Sequence, residues 1–196
     1  MDNISIYLEK LKNNYGTNFS RDLIHKFAAV SSEITLKKNE VLIRIGDKSS
    51  YIFFVVSGIL RDYYIDNTGN DVTRFFSREG SLCGGESLIS NEPSAICTEA
   101  LEDCILLRCP VSDFTEIIVS GSEAAKAYIW FLESSLAYKI RRENSFLIKS
   151  AAERYIDFKE ENPDLEKRVN QKYIASYLGI TPVSLSRIRR ALKELN

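Results

Sequence analysis

Residues 170–192 read Asn170-Gln-Lys-Tyr-Ile-Ala-Ser-Tyr-Leu-Gly-Ile-Thr-Pro-Val-Ser-Leu-Ser-Arg-Ile-Arg-Arg-Ala-Leu192. Gly179 suits the left-handed turn that ends a helix. Thr181 followed by Pro182 suits the start of another helix, because threonine caps helix N-termini and proline fits the first helical position. The stretch therefore predicts two short helices joined by a tight turn, the helix-turn-helix arrangement that many DNA-binding proteins use.

The second of these helices is predicted to have two distinct faces. Apolar residues recur at helical spacing on one side, namely Leu185, Ile188, Leu192 and Leu195. At about 100° per residue, the opposite side carries Val183, Ser186, Arg187 and Arg190. Such a face suits the major groove of DNA, where Arg187 is the best candidate for reading a guanine.

The net charge of −1 hides an asymmetry along the chain. Residues 167–196 hold seven basic side chains and one acidic side chain, which gives them a net charge of +6. The first 166 residues carry −7. A basic segment after an acidic region is expected where a DNA-binding domain is joined to a domain of another function. The alternative is that these basic side chains are only the solvated end of a helix.

No apolar run is long enough to cross a membrane, and the first residues lack the pattern of a signal peptide. We therefore expect a cytoplasmic protein with reduced thiols at Cys83, Cys97, Cys104 and Cys109. The cysteines form no Cys-x-x-Cys pair, and His25 is the single histidine, so a metal site is not expected. Four small packed residues are the favoured interpretation, and an iron–sulfur or redox-sensing role is the alternative.

The pattern of secondary structure changes along the chain. Helices are predicted at residues 4–14 and roughly 20–29, and again from Pro110 to 119. Between them, short β-prone runs alternate with turn residues, at 33–36, 41–45, 51–57, 59–65, 72–76 and 95–109. Short strands at this spacing predict an antiparallel barrel or jelly roll.

A long helix is predicted from residue 122 to 148. Within it, a narrow apolar stripe contains Ile129, Leu132, Leu136 and Ile140. Such a stripe suits a partner helix and favours a homodimer, although it could instead pack on the β-domain of its own chain. A further helix is predicted at 152–161, after a hinge near Ser150.

The order of these features resembles the cyclic-AMP receptor protein/fumarate-nitrate reductase regulator (Crp/Fnr) superfamily of bacterial transcription factors. The resemblance is carried by 51–61, 66–70, 84–94, 100–107, 150–155 and 178–189. It implies an α+β fold with a cyclic-nucleotide-binding-like antiparallel β-roll (jelly roll), a long dimerisation helix and a helix-turn-helix domain. The corresponding domains are residues 1–121, 122–148 and 149–196.

The resemblance further implies a homodimeric DNA-binding regulator that is not an enzyme. A ligand or redox event in the β-roll would reorient the two DNA-contacting helices of the dimer, which would bind a near-palindromic DNA site. RNA polymerase is a candidate protein partner. The expected DNA contacts are Thr181, Val183, Ser184, Ser186, Arg187 and Arg190. Most relatives continue into a β-hairpin that touches DNA, whereas this sequence ends at Asn196, so weaker and more dimer-dependent binding is expected.

The effector pocket implied by the resemblance departs from the pattern of members that bind cyclic nucleotides. Glu86 and Ser94 match the ribose-binding and hydroxyl positions, but Pro93 stands where those members have an arginine for the phosphate. Cyclic AMP is therefore not expected to bind, because proline cannot make the charge-assisted bond to the phosphate. Arg74 or Arg78 could replace that charge. The candidate pocket comprises Arg74, Arg78, Gly84, Gly85, Glu86, Ser94 and Lys139, and its effector is left unassigned.

Two other functions are compatible with parts of this pattern. A β-roll also occurs in metal-dependent enzymes of the cupin type, but these need several histidine and carboxylate ligands, and His25 lies outside the predicted roll. A protein-interaction scaffold without DNA binding would use only the roll and the apolar stripe. The outward Arg187 and Arg190 argue against it.

Overall fold

A computed structural model describes residues 3–11, 19–85 and 92–194 of the chain. The helices in these ranges are α1 Asn3–Leu11, α2 Arg21–Val30, α3 Val111–Ser120, α4 Ser122–Ile148, α5 Ala151–Glu161, α6 Leu165–Arg168, α7 Gln171–Tyr177 and α8 Pro182–Glu194. The strands are β1 Ser32–Leu36, β2 Val41–Ile43, β3 Tyr51–Ser57, β4 Leu60–Ile65, β5 Asp71–Ser77, β6 Leu82–Cys83, β7 Cys97–Ala100 and β8 Cys104–Pro110.

The strands form two four-stranded sheets with the orders β1-β8-β3-β6 and β2-β7-β4-β5. In the first sheet β8 pairs antiparallel with both β1 and β3, and β2 pairs antiparallel with β7 in the second. The predicted antiparallel β-roll, followed by helices, is therefore confirmed.

Strand β3 lies between β8 and β6 in the first sheet, and nearly all of its residues are apolar. Successive side chains of a strand point to opposite faces. On one face, Phe53 and Val55 belong to the core inside the roll, together with Leu60 and Leu106. On the other face, Ile52 and Phe54 pack with residues of α2 and α3. Because both faces of β3 are covered, apolar residues occupy nearly every position.

The prediction of one strand over residues 95–109 is wrong, because the chain turns between β7 and β8 at residues 101–103. The Asp103 carboxylate accepts hydrogen bonds from the Lys37 side chain (2.8 Å) and from the Lys38 backbone N–H (3.0 Å). The sequence prediction also missed the short β6 and α6. The first helix is described only to residue 11, so the end of the helix predicted at 4–14 lies outside the described residues.

The chain divides into two compact units, one of residues 1–62 and 76–135 and the other of 63–75 and 136–196. The second unit therefore contains the tip of the β4–β5 hairpin. In it, the Thr73 backbone N–H donates to Ser176 Oγ of α7 (2.9 Å), and Phe75 meets Tyr138 edge to face with ring centres 5.2 Å apart. The domain boundaries proposed from the sequence stay predictions.

Candidate functional site

The C-terminal helices begin and end at the residues that the sequence indicated. Asn170 caps α7 by accepting a hydrogen bond from the Lys172 N–H (3.0 Å). Gly179 adopts a left-handed conformation with φ +67°, and a Cβ there would lie 2.8 Å from the Phe146 ring. Thr181 Oγ1 accepts from the Ser184 N–H (3.1 Å) at the start of α8. The turn between α7 and α8 thus needs glycine for both conformation and space.

Helix α8 buries one face and exposes the other. Leu185 is 1% exposed, whereas Val183 is 61% exposed. Ser186, Arg187 and Arg190 also lie on the exposed side. Of the other proposed DNA contacts, Thr181 is exposed and Ser184 is half-buried, and their hydroxyl oxygens lie 3.0 Å apart. The exposed face therefore presents two cationic side chains beside a small and an apolar one.

Arg189 has a structural partner that sequence reasoning missed. Its Nε lies 3.4 Å from Oε1 of Glu166 on α6, and the same carboxylate accepts a hydrogen bond from the Tyr155 hydroxyl. Burial, reinforced by that bond, raises the pKa of Tyr155 to about 12. Arg189 therefore helps to hold α8 against its neighbours, in contrast to the exposed Arg187 and Arg190.

The structure distributes the proposed effector residues over both units. Arg78, Gly84, Gly85 and Ser94 belong to the first unit, Arg74 and Lys139 belong to the second, and Glu86 lies outside the described residues. Gly84 has φ +80°, and a Cβ there would approach the Phe53 ring to 2.9 Å. The Ser94 hydroxyl donates to the Ile96 carbonyl at 2.9 Å, which closes a local turn. Ser94 thus has a structural role in this conformation.

Apart from Arg74 and Arg78, the charged side chains of the β-roll are mostly acidic. No arginine or lysine occurs between residues 79 and 107, a segment that holds six carboxylates. Arg61 is only 1% exposed, and its Nε lies 2.9 Å from Oε1 of Glu99. Beside this pair, the Thr98 hydroxyl donates to Asp62 (2.7 Å). The fully buried guanidinium is therefore already neutralised by a carboxylate of its own chain, a pairing that the sequence analysis did not foresee.

The apolar stripe on α4 is exposed over most of its length. Ile129, Leu136 and Ile140 are 53%, 59% and 49% exposed, and Leu132 is half-buried. Leu147, seven residues after Ile140, is 75% exposed and extends the stripe. A row of exposed large apolar side chains at intervals of seven and four residues is typical of a helix that packs against a partner helix.

The cysteines are all free thiols, and Cys83, Cys104 and Cys109 are buried. Burial raises the pKa of Cys104 and of Cys109 to about 11, which disfavours the reactive thiolate. Within the described ranges, no group of three or more histidine, cysteine or carboxylate side chains is placed to hold a metal ion. None of the helices that the structure describes is long and apolar enough to span a bilayer.

Comparison with known sequences identifies one domain. Residues 33–120 match the cyclic nucleotide-binding domain family. Human patatin-like phospholipase domain-containing protein 6 is 32% identical over 83 residues, and its Pongo abelii counterpart matches to the same extent. The matched segment is 42% of this chain but only 6% of either relative, so the likeness concerns one domain of a much longer protein.

Solved structures resemble almost the whole chain. FixK2 from Bradyrhizobium japonicum has a TM-score of 0.74 at 21% identity, covering 85% of this chain and 86% of its own. The c-di-GMP-responsive global regulator CLP of Xanthomonas campestris has a TM-score of 0.70 at 15% identity, covering 89% and 92%. For the catabolite activator protein of Thermus thermophilus the TM-score is 0.60 at 18% identity, with 92% and 86% covered. Residues 33–120 are therefore a domain of the cyclic nucleotide-binding family, in a chain that has the fold of the Crp/Fnr regulators.

Proposed function

We propose that the protein is a homodimeric DNA-binding transcriptional regulator of the Crp/Fnr type. The observation that carries this proposal is the exposed face of α8, where Val183, Ser186, Arg187 and Arg190 project from a helix anchored by the buried Leu185. A rigid helix with outward arginines and small side chains fits the major groove, in which arginine reads guanine and small residues permit close approach. Such a regulator would act in the cytoplasm, and a contact with RNA polymerase stays a prediction.

The exposed stripe on α4 supports the dimer. If two copies of α4 pair along Ile129, Leu136, Ile140 and Leu147, a twofold axis relates the two protomers. Two recognition helices related by a twofold axis read a site with dyad symmetry. A dimer also doubles the number of phosphate contacts available to the basic segment 167–196.

Selection of binding sites from a random DNA library tests the proposal. We expect an enriched motif with dyad symmetry whose half-sites are separated by about one helical turn, roughly 10 base pairs. Binding to the selected site should fall steeply as salt increases, because basic side chains displace counterions from the phosphates. Failure to enrich any motif, or enrichment of one without dyad symmetry, would contradict the proposed function.

We also propose that the β-roll does not use cyclic AMP as its effector. A cyclic nucleotide carries a negative phosphate, and burial of that charge needs a cationic partner with hydrogen-bond donors. The segment 79–107 supplies carboxylates and no such cation, and Arg61 is paired with Glu99. The effector of the roll is accordingly expected to be of another chemical class.

Calorimetry with cyclic AMP and cyclic GMP checks this expectation directly. We expect no saturable binding of either nucleotide at concentrations up to about 100 µM, because the phosphate would remain unpaired. The contrary result is a dissociation constant in the low micromolar range, about −8 kcal/mol in binding free energy. In that case Arg74→Gln and Arg78→Gln would show which side chain supplies the missing charge.

A further inference from the structure

A cleft of about 300 Å³ opens among the C-terminal helices, between the end of α4, α5 and α7. All of its lining residues belong to the second compact unit. The lining includes four aromatic rings, four cationic side chains and two carboxylates, so its net charge is +2. This combination of rings with excess positive charge is unlike the purely apolar cavity of about 50 Å³ in the first unit.

Two of the four cations have partners that account for their positions. Lys149 precedes α5, and its Nζ lies 2.6 Å from Oδ2 of Asp157 on that helix. Arg154 donates to the backbone carbonyls of Lys149 (2.8 Å) and Leu178 (3.1 Å). These bonds join the segment that links α4 to α5 with the end of α7. Carbonyl groups carry no net charge, so Arg154 remains a cation, and the Lys149–Asp157 pair leaves three arginines against Glu161. The net charge of +2 therefore comes from Arg141, Arg142 and Arg154 less Glu161, and Arg141 and Arg142 are the two of these arginines that α4 supplies.

Arg142 is held in a fixed orientation. Its Cζ lies 3.9 Å from the centre of the Tyr177 ring and 4.9 Å from that of Phe146. Its Nη2 donates to the Tyr177 carbonyl (2.9 Å), a bond that uses one of the five N–H donors of a guanidinium. A guanidinium stacked on rings is partly desolvated and pre-oriented, which suits two-point binding of a carboxylate.

The cleft faces away from the proposed dimer seam. At about 100° per residue, Tyr138, Arg142 and Ser145 lie roughly opposite Leu136 and Ile140 around the α4 axis. Pairing of two protomers along the seam would thus leave the cleft open. Its volume is about twice that of a 150 Å³ cavity known to bind benzene, so it can hold a molecule of about a dozen non-hydrogen atoms.

We propose that this cleft is a binding site for a planar organic anion, an aromatic carboxylate whose charged group pairs with Arg142 and Arg141. The ring of the ligand would lie among the aromatic side chains of the cleft, of which Tyr138 and Tyr177 already share a hydrogen bond between their hydroxyls (2.8 Å). An occupant of the cleft would contact α4, α5 and α7 together, next to the segment that links α4 to α5. Binding itself does not depend on DNA, whereas its regulatory meaning rests on the proposed function.

Calorimetry of the full chain with 1-naphthoate and with the neutral 1-naphthamide tests the site. The two probes have nearly the same shape, so a difference between them reports the charged contact. We expect one molecule of 1-naphthoate to bind per protomer, and 1-naphthamide to bind at least about tenfold more weakly. No saturable binding of 1-naphthoate, or equal affinity for the two probes, would overturn the proposal.

Variants locate the binding. Ser145→Trp should abolish binding because the indole fills the cleft, and Arg142→Gln should weaken it by about tenfold or more. Arg141→Gln, which changes an exposed side chain, gives a second test should removal of the Arg142–Tyr177 bond unfold the protein. Lys159→Gln removes an exposed cation of α5 outside the cleft and should leave the affinity unchanged. Binding that is unaffected by Ser145→Trp would place the ligand elsewhere and overturn the assignment.

Discussion

Simultaneous replacement of Leu136 and Ile140 by glutamate is expected to convert the dimer into monomers and to weaken binding to the selected DNA site at least about 100-fold. Both side chains are about half exposed in the protomer, so their replacement leaves its core intact. In a dimer they would place four carboxylates in an apolar seam, and each unpaired buried charge costs several kcal/mol. A monomer reads only one half-site, and its affinity approaches that of non-specific binding.

Sedimentation equilibrium and titration with the selected DNA measure the two effects together. Val119→Glu is the matched control, because it also introduces glutamate at an exposed apolar position, on α3 and away from the stripe. We expect this variant to remain a dimer with unchanged affinity for DNA. A double variant that still dimerises would place the interface elsewhere, and a wild-type monomer at about 10 µM would contradict the dimer itself.

The parts of the fold that could be read from the sequence are those set by local rules. The boundaries of α7 and α8 follow from Asn170, Gly179 and Thr181. The side chains of Asn170 and Thr181 accept hydrogen bonds from backbone N–H groups two or three residues later, and Gly179 adopts the left-handed conformation that ends a helix. The continuous apolar run of β3 likewise reflects a strand covered on both faces. Such signals need no knowledge of distant parts of the chain.

The features that sequence reasoning missed depend on contacts between distant residues. The break between β7 and β8 is stabilised by Asp103 bonding to Lys37 and Lys38, 65 or 66 residues earlier. The hairpin tip meets α7 through Thr73 and Ser176, which are 103 residues apart. Within residues 95–109 the adjacent Glu102 and Asp103 are disfavoured in strands, a local signal that is short beside the β-prone residues on both sides of it.

The same distinction applies to the candidate sites. The outward face of α8 follows from helical periodicity, so Arg187 and Arg190 could be located from the sequence. The pairing of Arg189 with Glu166 could not, because it joins α8 to a helix of only four residues. The Arg61–Glu99 pair also joins separate strands, and it makes the interior of the roll less favourable for an anion than the sequence alone indicated.

The Arg187→Ala variant is expected to lose about 1–3 kcal/mol of binding free energy per half-site and to relax the preference at one base pair in each half-site. The reason is that an exposed arginine near the start of a recognition helix can bind guanine O6 and N7 with two hydrogen bonds, which alanine cannot replace. Competition titrations with the selected site and with single-base variants of it measure both effects. An unchanged base preference would mean that another residue reads that position.

Arg190→Ala is the matched comparison, because it removes the same charged group one turn further along the exposed face of α8. We expect this variant to weaken binding to all sequences by a similar factor, since an arginine that binds a phosphate reads no base. The slope of log affinity against log salt should fall by about 1 for each phosphate that is no longer neutralised. If Arg190→Ala instead changed the base preference and Arg187→Ala changed only the salt slope, the two arginines would have exchanged roles, and α8 would enter the groove in a different orientation from the one proposed.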